Sequence, residues 1–486
     1  MTDSAPNDVA MAYGSASIPA AAFEVLGYLG AVAAATLAFV VGWLTVNGAV
    51  VLTVALLTTL IVLSWIHLGQ GRHPVFLFLC TLMFFQGGRL LAFCLGGVAQ
   101  PMRVQLMQPE PFSIGRTNEG IVLLCLALSA ICVYTPCRWK YLAFLPPSTD
   151  QVRHYLPYLY LLFFAALPVQ LFKNYCYFEW AQTHGGYMSI YLSHAGLASS
   201  VPFWVRVVPL ISLPVFVAIF VFEYRKKLAY LTAVLYFGAA SLILLMGARG
   251  AVFGLVLSLW YVARLKSTTR TRIITLIVFA AILVLVADAV RNLRENPDDT
   301  SGYSFLPVHF LELQGASIDV VSAVVAYREY FAPYAWMYPV YELQNAFVAI
   351  DTEHYQRGKG LSYDVPVLLN RNGFILGAGT GSSYTAEAYA IGGIAGVICI
   401  SLVVGCGLHW LQVLSRGASG LFLVAMTLPD VLLMPRGNLL DWASVAAKNL
   451  ISIVLLFAGW GIYKLLVSIR HTPAEAQTDV KGAATS

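Results

Sequence analysis

Two short corners, Gly247-Ala248-Arg249-Gly250 and Pro435-Arg436-Gly437-Asn438, each set one arginine among small residues between apolar runs. A guanidinium is always charged and presents a planar fork of donors, so such corners suit the oxygens of a phosphate group. Small neighbours let that group approach closely. Anchoring to lipid headgroups is the structural alternative for both. Arg89, Asp288, Asp430 and Lys448 add charge inside otherwise apolar stretches, where each costs on the order of 2.5–3.5 kcal/mol on insertion scales. Each should have a partner or a task. The structural alternatives are snorkelling to the interface and ion pairs such as Asp430 with Lys448.

A third element is the run Gly377-Ala378-Gly379-Thr380-Gly381-Ser382-Ser383-Tyr384-Thr385-Ala386-Glu387, which leads straight into an apolar stretch. A glycine-rich turn followed by serine at a helix start exposes backbone N–H groups, a ready anion site, although glycines also serve as hinges. Gly392 and Gly396 beyond it read as helix-packing contacts. Aromatic side chains supply a fourth. Tyr175, Tyr177, Trp180, Tyr187 and Tyr191 fall in one connection, and Tyr327, Tyr330, Tyr334, Trp336 and Tyr338 in another. Flat amphipathic rings suit the faces of sugars, and they also form the belt at any membrane interface.

These residues need a frame, and composition says which kind. Of 486 residues, 59% are hydrophobic and 11% charged, with mean hydropathy +0.74. A water-soluble domain carries roughly a quarter charged residues, so the chain reads as all-α and polytopic in a membrane. Net charge is +5, but clustering of Lys and Arg in cytoplasmic loops accounts for it, and no nucleic-acid partner is expected. The eight cysteines give neither a disulfide framework nor metal spacing, and the N-terminus lacks the basic region of a cleavable signal.

Stretches of about 17–25 apolar residues are needed to cross the hydrocarbon. That window gives about 12 transmembrane helices: 24–44, 49–67, 75–97, 119–136, 155–172, 205–223, 228–247, 250–264, 273–290, 391–413, 419–434 and 441–463. The expected organisation is a disordered N-terminus over 1–20, helices 1–9 over 21–290, one large loop over 291–390, helices 10–12 over 391–465, and a tail over 466–486. With both termini inside, fifteen of the 29 Lys and Arg fall in the cytoplasm and six in short outer connections, which satisfies the positive-inside rule. The large loop, Arg249 and Arg436 then share the outer face. The loop is too rich in apolar and aromatic residues for disorder. Helical spacing is expected over Gln314 to Phe331, and a second helix over Tyr341 to Ile350.

The pattern resembles the O-antigen polymerase (Wzy) family, which lengthens lipid-linked bacterial polysaccharides. The resemblance rests on about a dozen spans, one large loop before the last few, the corner Gly247–Gly250, and the run Gly379 to Tyr389 followed by Gly392, Gly393 and Gly396. It implies a GT-C-like, metal-independent glycosyltransferase without cofactor in the bacterial inner membrane, with the large loop periplasmic. The polymer on one undecaprenyl pyrophosphate would pass to an incoming lipid-linked repeat unit. A chain-length regulator is an implied partner.

On that reading Arg249 and Arg436 bind the pyrophosphate, with Arg291, Arg328 and Arg89 as further candidates, and Tyr187 and Tyr384 contact substrate. Arginines there would neutralise charge on the leaving diphosphate. An acceptor hydroxyl needs a general base, for which Asp319, Glu387 and His309 are the outward-facing candidates. Asp319 pairing with Arg328, and Glu387 orienting an arginine or capping the glycine-rich turn, are the structural alternatives. O-antigen ligase is the alternative activity, since it resembles this class in its arginines and relies on a loop histidine, for which His309 and His354 are available. A metal-dependent transferase is disfavoured because the first outer connection, Thr45 to Gly48, holds no acid. A transporter is disfavoured because no inverted repeat is visible and the intramembrane charges crowd one face.

Overall fold

A computed structural model describes residues 18–42, 44–98, 100–102, 104, 112–139, 155–183, 200–223, 225–245, 249–267, 306–345, 355–375 and 379–470. Among these the chain is helical, and the single extended pairing is the isolated bridge between Val104 and Phe112. The helices are α1 (Ile18–Val40), α2 (Val46–His67), α3 (Pro74–Phe85), α4 (Gly88–Cys94), α5 (Arg116–Trp139), α6 (Leu156–Thr183), α7 (Phe203–Val207), α8 (Pro209–Phe222), α9 (Lys226–Leu245) and α10 (Arg249–Lys266). They continue as α11 (Leu306–Gln314), α12 (Ser317–Ala326), α13 (Arg328–Phe331), α14 (Tyr338–Asn345), α15 (Leu361–Ile375), α16 (Tyr384–Leu414), α17 (Ala418–Leu433) and α18 (Asp441–Arg470).

Every expected span has a helix beneath it except 273–290, which lies outside the described residues. By length and composition five helices can cross a membrane, and two bent helix pairs raise the number to seven. The five begin at Val46, Arg116, Leu156, Phe203 and Tyr384. Of these, α5 is the interior one, with 89% of its apolar window buried, against 28% for α16. Among the described residues the apolar windows of α16, α6 and α2 are the least buried, at 28%, 33% and 39%, so these helices lie at the periphery around α5. Small residues set the crossings. A Cβ at Gly405 would stand 2.5 Å from the Val133 carbonyl oxygen of α5, and one at Gly254 would stand 2.6 Å from that of Pro429 in α17. Glycine therefore lets α16 approach α5, and α10 approach α17, backbone to backbone.

Three expected helices take a different shape. The third span breaks after Phe85, and α3 and α4 meet at 63°. The stretch expected as one helix from Gln314 to Phe331 divides into the end of α11, then α12 and α13, with 41° between α11 and α12. Both breaks carry the dipeptide Gln-Gly, at Gln86-Gly87 and Gln314-Gly315. The two bent pairs cross there: a Cβ at Gly88 would stand 2.8 Å from the Leu311 carbonyl oxygen, and one at Gly315 would overlap the Arg89 nitrogen. The tenth span begins earlier than expected, at Tyr384, and is itself broken at Gly392 and Gly393, the latter with φ +59°. Its first arm, Tyr384 to Ala390, is wholly buried. The second expected loop helix runs Tyr338–Asn345, ahead of its expected place, and residues 346–350 lie outside the described residues. The helix α15 was not expected.

Candidate functional site

The corner between α17 and α18 is tied from several sides. Tyr384 donates its backbone N–H to the Met434 carbonyl at 3.1 Å. Gln86, at the α3–α4 break, donates its side-chain amide to the Pro435 carbonyl at 3.0 Å and to the hydroxyls of Ser383 at 2.8 Å and Thr385 at 3.1 Å. Asp441 accepts the Asn438 backbone N–H at 2.9 Å and its side-chain amide at 3.1 Å. Glu387 accepts the Leu439 N–H at 3.0 Å and the Ser382 hydroxyl at 3.0 Å. Residues 434–439 thus hang from three helices and the glycine-rich turn, leaving Arg436 exposed between them. Its guanidinium lies 5.6 Å over the Phe85 ring, and its Nη1 donates to Gln314 Oε1 at 2.6 Å.

The two Gln-Gly breaks therefore converge on successive residues of one corner. The other arginine corner is close. Arg249 opens α10, and a Cβ on the following Gly250 would stand 3.8 Å from Leu433, three residues before Arg436.

The remaining expected site residues fall into distinct surroundings. Asp319 on α12 is fully buried and ion-paired with Arg89 of α4, itself 4% exposed. The partner weighed for Asp319 in the sequence was Arg328; the crossing at Gly88 and Gly315 delivers Arg89 instead. Arg328 is exposed, 5.8 Å over the Tyr389 ring and beside Gly393. Glu387 is fully buried, with its oxygens engaged as described. Its position fits orienting the Arg436 corner better than receiving a substrate proton. Tyr384 is fully buried, edge-on to Phe78 at 5.7 Å, so its ring is part of the core. His309 on α11 is half-buried, with Nδ1 3.4 Å from Glu312 Oε2 one helical turn later. Arg291, Tyr187, Asp288 and His354 lie outside the described residues.

Sequence reasoning missed four residues. Gln86 and Gln314 signal themselves only as a repeated dipeptide in two separate apolar runs. Glu342 on α14 is 4% exposed and faces Glu387 and Asp441. Burial first, and then those two carboxylates, raise its pKa well above the ordinary 4.5, so it is held as a neutral acid beside Glu387. Asp364 on α15 is also fully buried. It accepts the Tyr338 hydroxyl at 2.7 Å, the Tyr355 hydroxyl at 3.0 Å, and the Gly358 N–H at 3.1 and 3.0 Å on its two oxygens. Burial raises its pKa, while these donors and Arg357 lower it.

The whole arrangement is a buried polar lattice that presents cations at its surface. Comparison with known families agrees with that chemistry: the family model described as O-antigen polysaccharide polymerase Wzy matches residues 30–465. No curated protein and no solved structure matches the chain. The matched length takes in every bent helix, both arginine corners and the glycine-rich turn, and the chain belongs to the O-antigen polysaccharide polymerase Wzy family.

Proposed function

We propose that the protein lengthens undecaprenyl-pyrophosphate-linked oligosaccharide repeat units at the outer face of the bacterial inner membrane, with Arg436 gripping the leaving diphosphate. The observation that carries this is the exposed Arg436, aimed by a corner whose neighbours on both sides are fixed by hydrogen bonds. A preorganised cation costs no rearrangement when charge develops on the leaving oxygens. Arg249, at the start of the adjoining helix, supplies the second charge, and on this reading the enzyme works as a GT-C-type transferase that draws its positive charge from arginine.

His309 is the base. Its Nδ1 lies 3.4 Å from Glu312 Oε2, which orients the ring, and an imidazole is the side chain suited to take a proton from a hydroxyl. The acceptor hydroxyl loses its proton to the imidazole as its oxygen bonds to the anomeric carbon, and the bond from that carbon to the diphosphate oxygen breaks. The diphosphate departs as an anion against Arg436. Gln314 ties Arg436 to the helix that carries His309, so the two ends of the transfer share one support. Asp319 and Glu387 hold the frame and do not touch the reacting atoms. The family match favours chain lengthening over ligation to lipid A core.

Complementing a deletion strain with Arg436→Ala or His309→Ala is expected to leave the protein in the membrane and to collapse the polysaccharide ladder to a single repeat unit. Normal ladders from Arg436→Ala would remove the diphosphate site, and normal ladders from His309→Ala would remove the base.

A further inference from the structure

A second set of cations stacks on tyrosines, whereas Arg436 lies over Phe85. Arg357 is exposed, with its guanidinium 4.1 Å over the Tyr330 ring and 4.7 Å over that of Tyr334. Arg328, two residues before Tyr330, lies over Tyr389. Neither arginine makes an ion pair among the described residues. Arg357 acts electrostatically on Asp364, which is fully buried and already accepts hydrogen bonds from two tyrosines and Gly358.

Those bonds shape the short loop that holds Arg357 out. Gly358 has φ +95°, and a Cβ there would stand 2.7 Å from the Tyr334 ring, so only glycine fits beside the arginine. A buried carboxylate that fixes a loop bearing an outward guanidinium is expensive to build for packing alone. Held over the Tyr330 ring and hydrogen-bonded to that side chain, the exposed guanidinium still has donors for an anion.

Height within the bundle narrows the ligand. Arg328 sits beside Gly393, where the buried arm of α16 gives way to its long apolar arm. Tyr327 contacts Phe112 at 6.0 Å, four residues before α5 begins. From that same end of α5, Arg116 reaches to the Phe39 carbonyl at 2.8 Å and lies over the Phe39 ring. Phe39 in turn lines a cavity of about 280 Å³ between α1, α2 and α5, walled by small residues such as Ala35, Ala49, Gly120 and Ala127. Small-molecule sites run to roughly 300–1,000 Å³, so this one suits a slim hydrocarbon chain and not a glycan. Cations at the end of the apolar helices, with an apolar slot running down from the same end, are complementary to an anionic lipid.

We propose that Arg357 and Arg328 form a second diphosphate site, holding the lipid carrier of the incoming repeat unit while the first carrier occupies Arg436, with the isoprenoid tail running into the α1–α2–α5 cavity. This rests on the polymerase reading, in which two lipid-linked substrates must be bound at once. Asp364 is a positioning residue for Arg357.

The test is native mass spectrometry of the full chain in lipid nanodiscs with farnesyl diphosphate as the probe. The wild type is expected to bind two molecules. Arg328→Gln/Arg357→Gln is expected to bind one, with at least tenfold weaker binding at the lost site. Arg357→Lys keeps charge but loses the flat fork, so an intermediate loss is expected. Retention of two molecules by the double variant would overturn the second site, as would equal displacement of that molecule by phosphatidylglycerol. Arg436→Ala is expected to bind one molecule; if it binds two, the first site fails while the second stands, so the two readings separate. Gly120→Leu, which fills the cavity, is expected to weaken the farnesyl probe severalfold and to leave inorganic pyrophosphate unaffected. An equal effect on both would overturn the tail's placement.

Discussion

The Gln86-Gly87 break and the Gln314-Gly315 break look alike in sequence and do different work. Both bend an apolar helix pair, and both send a glutamine to the same corner. Gln86 is a donor and takes hold of backbone, the Pro435 carbonyl, together with two hydroxyls on the far helix. Gln314 is an acceptor and takes hold of a side chain, the Arg436 guanidinium. The first sets where the corner stands. The second sets which way its charge points, and as a neutral acceptor it yields when an anionic oxygen arrives. Position is thus fixed by a buried bond and direction by an exchangeable one.

The two breaks are joined by one ionic knot, Arg89 with Asp319, and removing it is the most severe way to break the comparison. Both partners are buried, so losing one leaves a bare charge in the bundle at a cost of about 3–5 kcal/mol. Asp319→Ala is expected to lower the folded yield sharply in detergent. Arg89→Met/Asp319→Leu is expected to recover folded protein, since two apolar side chains leave no charge behind. The ratio of monodisperse to aggregated protein on size exclusion checks it. A double variant as poor as Asp319→Ala would mean that the knot acts through charge recognition elsewhere.

The comparison itself is sharpened by treating the two glutamines alike. Gln86→Leu strips a donor from three acceptors, two of them hydroxyls able to turn elsewhere, and its expected cost is about 1–3 kcal/mol. It is expected to shorten the polysaccharide ladder strongly and to lower Tm. Gln314→Leu leaves Arg436 exposed with its charge intact, so Tm should hold while the apparent KM for lipid-linked donor shifts a few-fold. If Gln314→Leu destabilised the fold as much as Gln86→Leu, the division into position and direction would fail.

How much of this could be read in the sequence follows from range. Apolar run length is local, and it places helices under the expected spans on described residues. The corners at Arg249 and Arg436 are equally local, being glycine or proline beside arginine between two runs. What the sequence does not show is which helices bend and what meets across the bends. Asp319 is ten residues from His309 and over two hundred from Arg89, yet Arg89 is its partner, because Gly88 and Gly315 let two backbones touch. The bend within 306–326 is equally hidden from sequence. The stretch folds as a bent helix pair, α11 packed on α4 and α12 on α5 and α16. Glu342 and Asp364 are ordinary acids in a polar stretch. Only the fold buries them.

The far side of the corner offers the smallest effect and depends on pH. Glu342 is held neutral in the folded protein by burial and by the charges of Glu387 and Asp441, whereas in the unfolded chain it ionises near its ordinary 4.5. The folded state therefore keeps a proton that the unfolded state releases. Stability must fall as pH rises from the ordinary value up to the raised one, and level off above it. Once ionised, Glu342 repels Glu387, and the Leu439 N–H bond that steadies the Arg436 corner should loosen with it. Glu342→Gln is nearly the same size, never ionises, and keeps an N–H to offer Glu387. Its Tm measured between about pH 5 and about pH 8 should decline less than that of the wild type, the two curves parting most at the alkaline end. If the curves stayed parallel, the carboxyl pair would not be what couples the corner to pH.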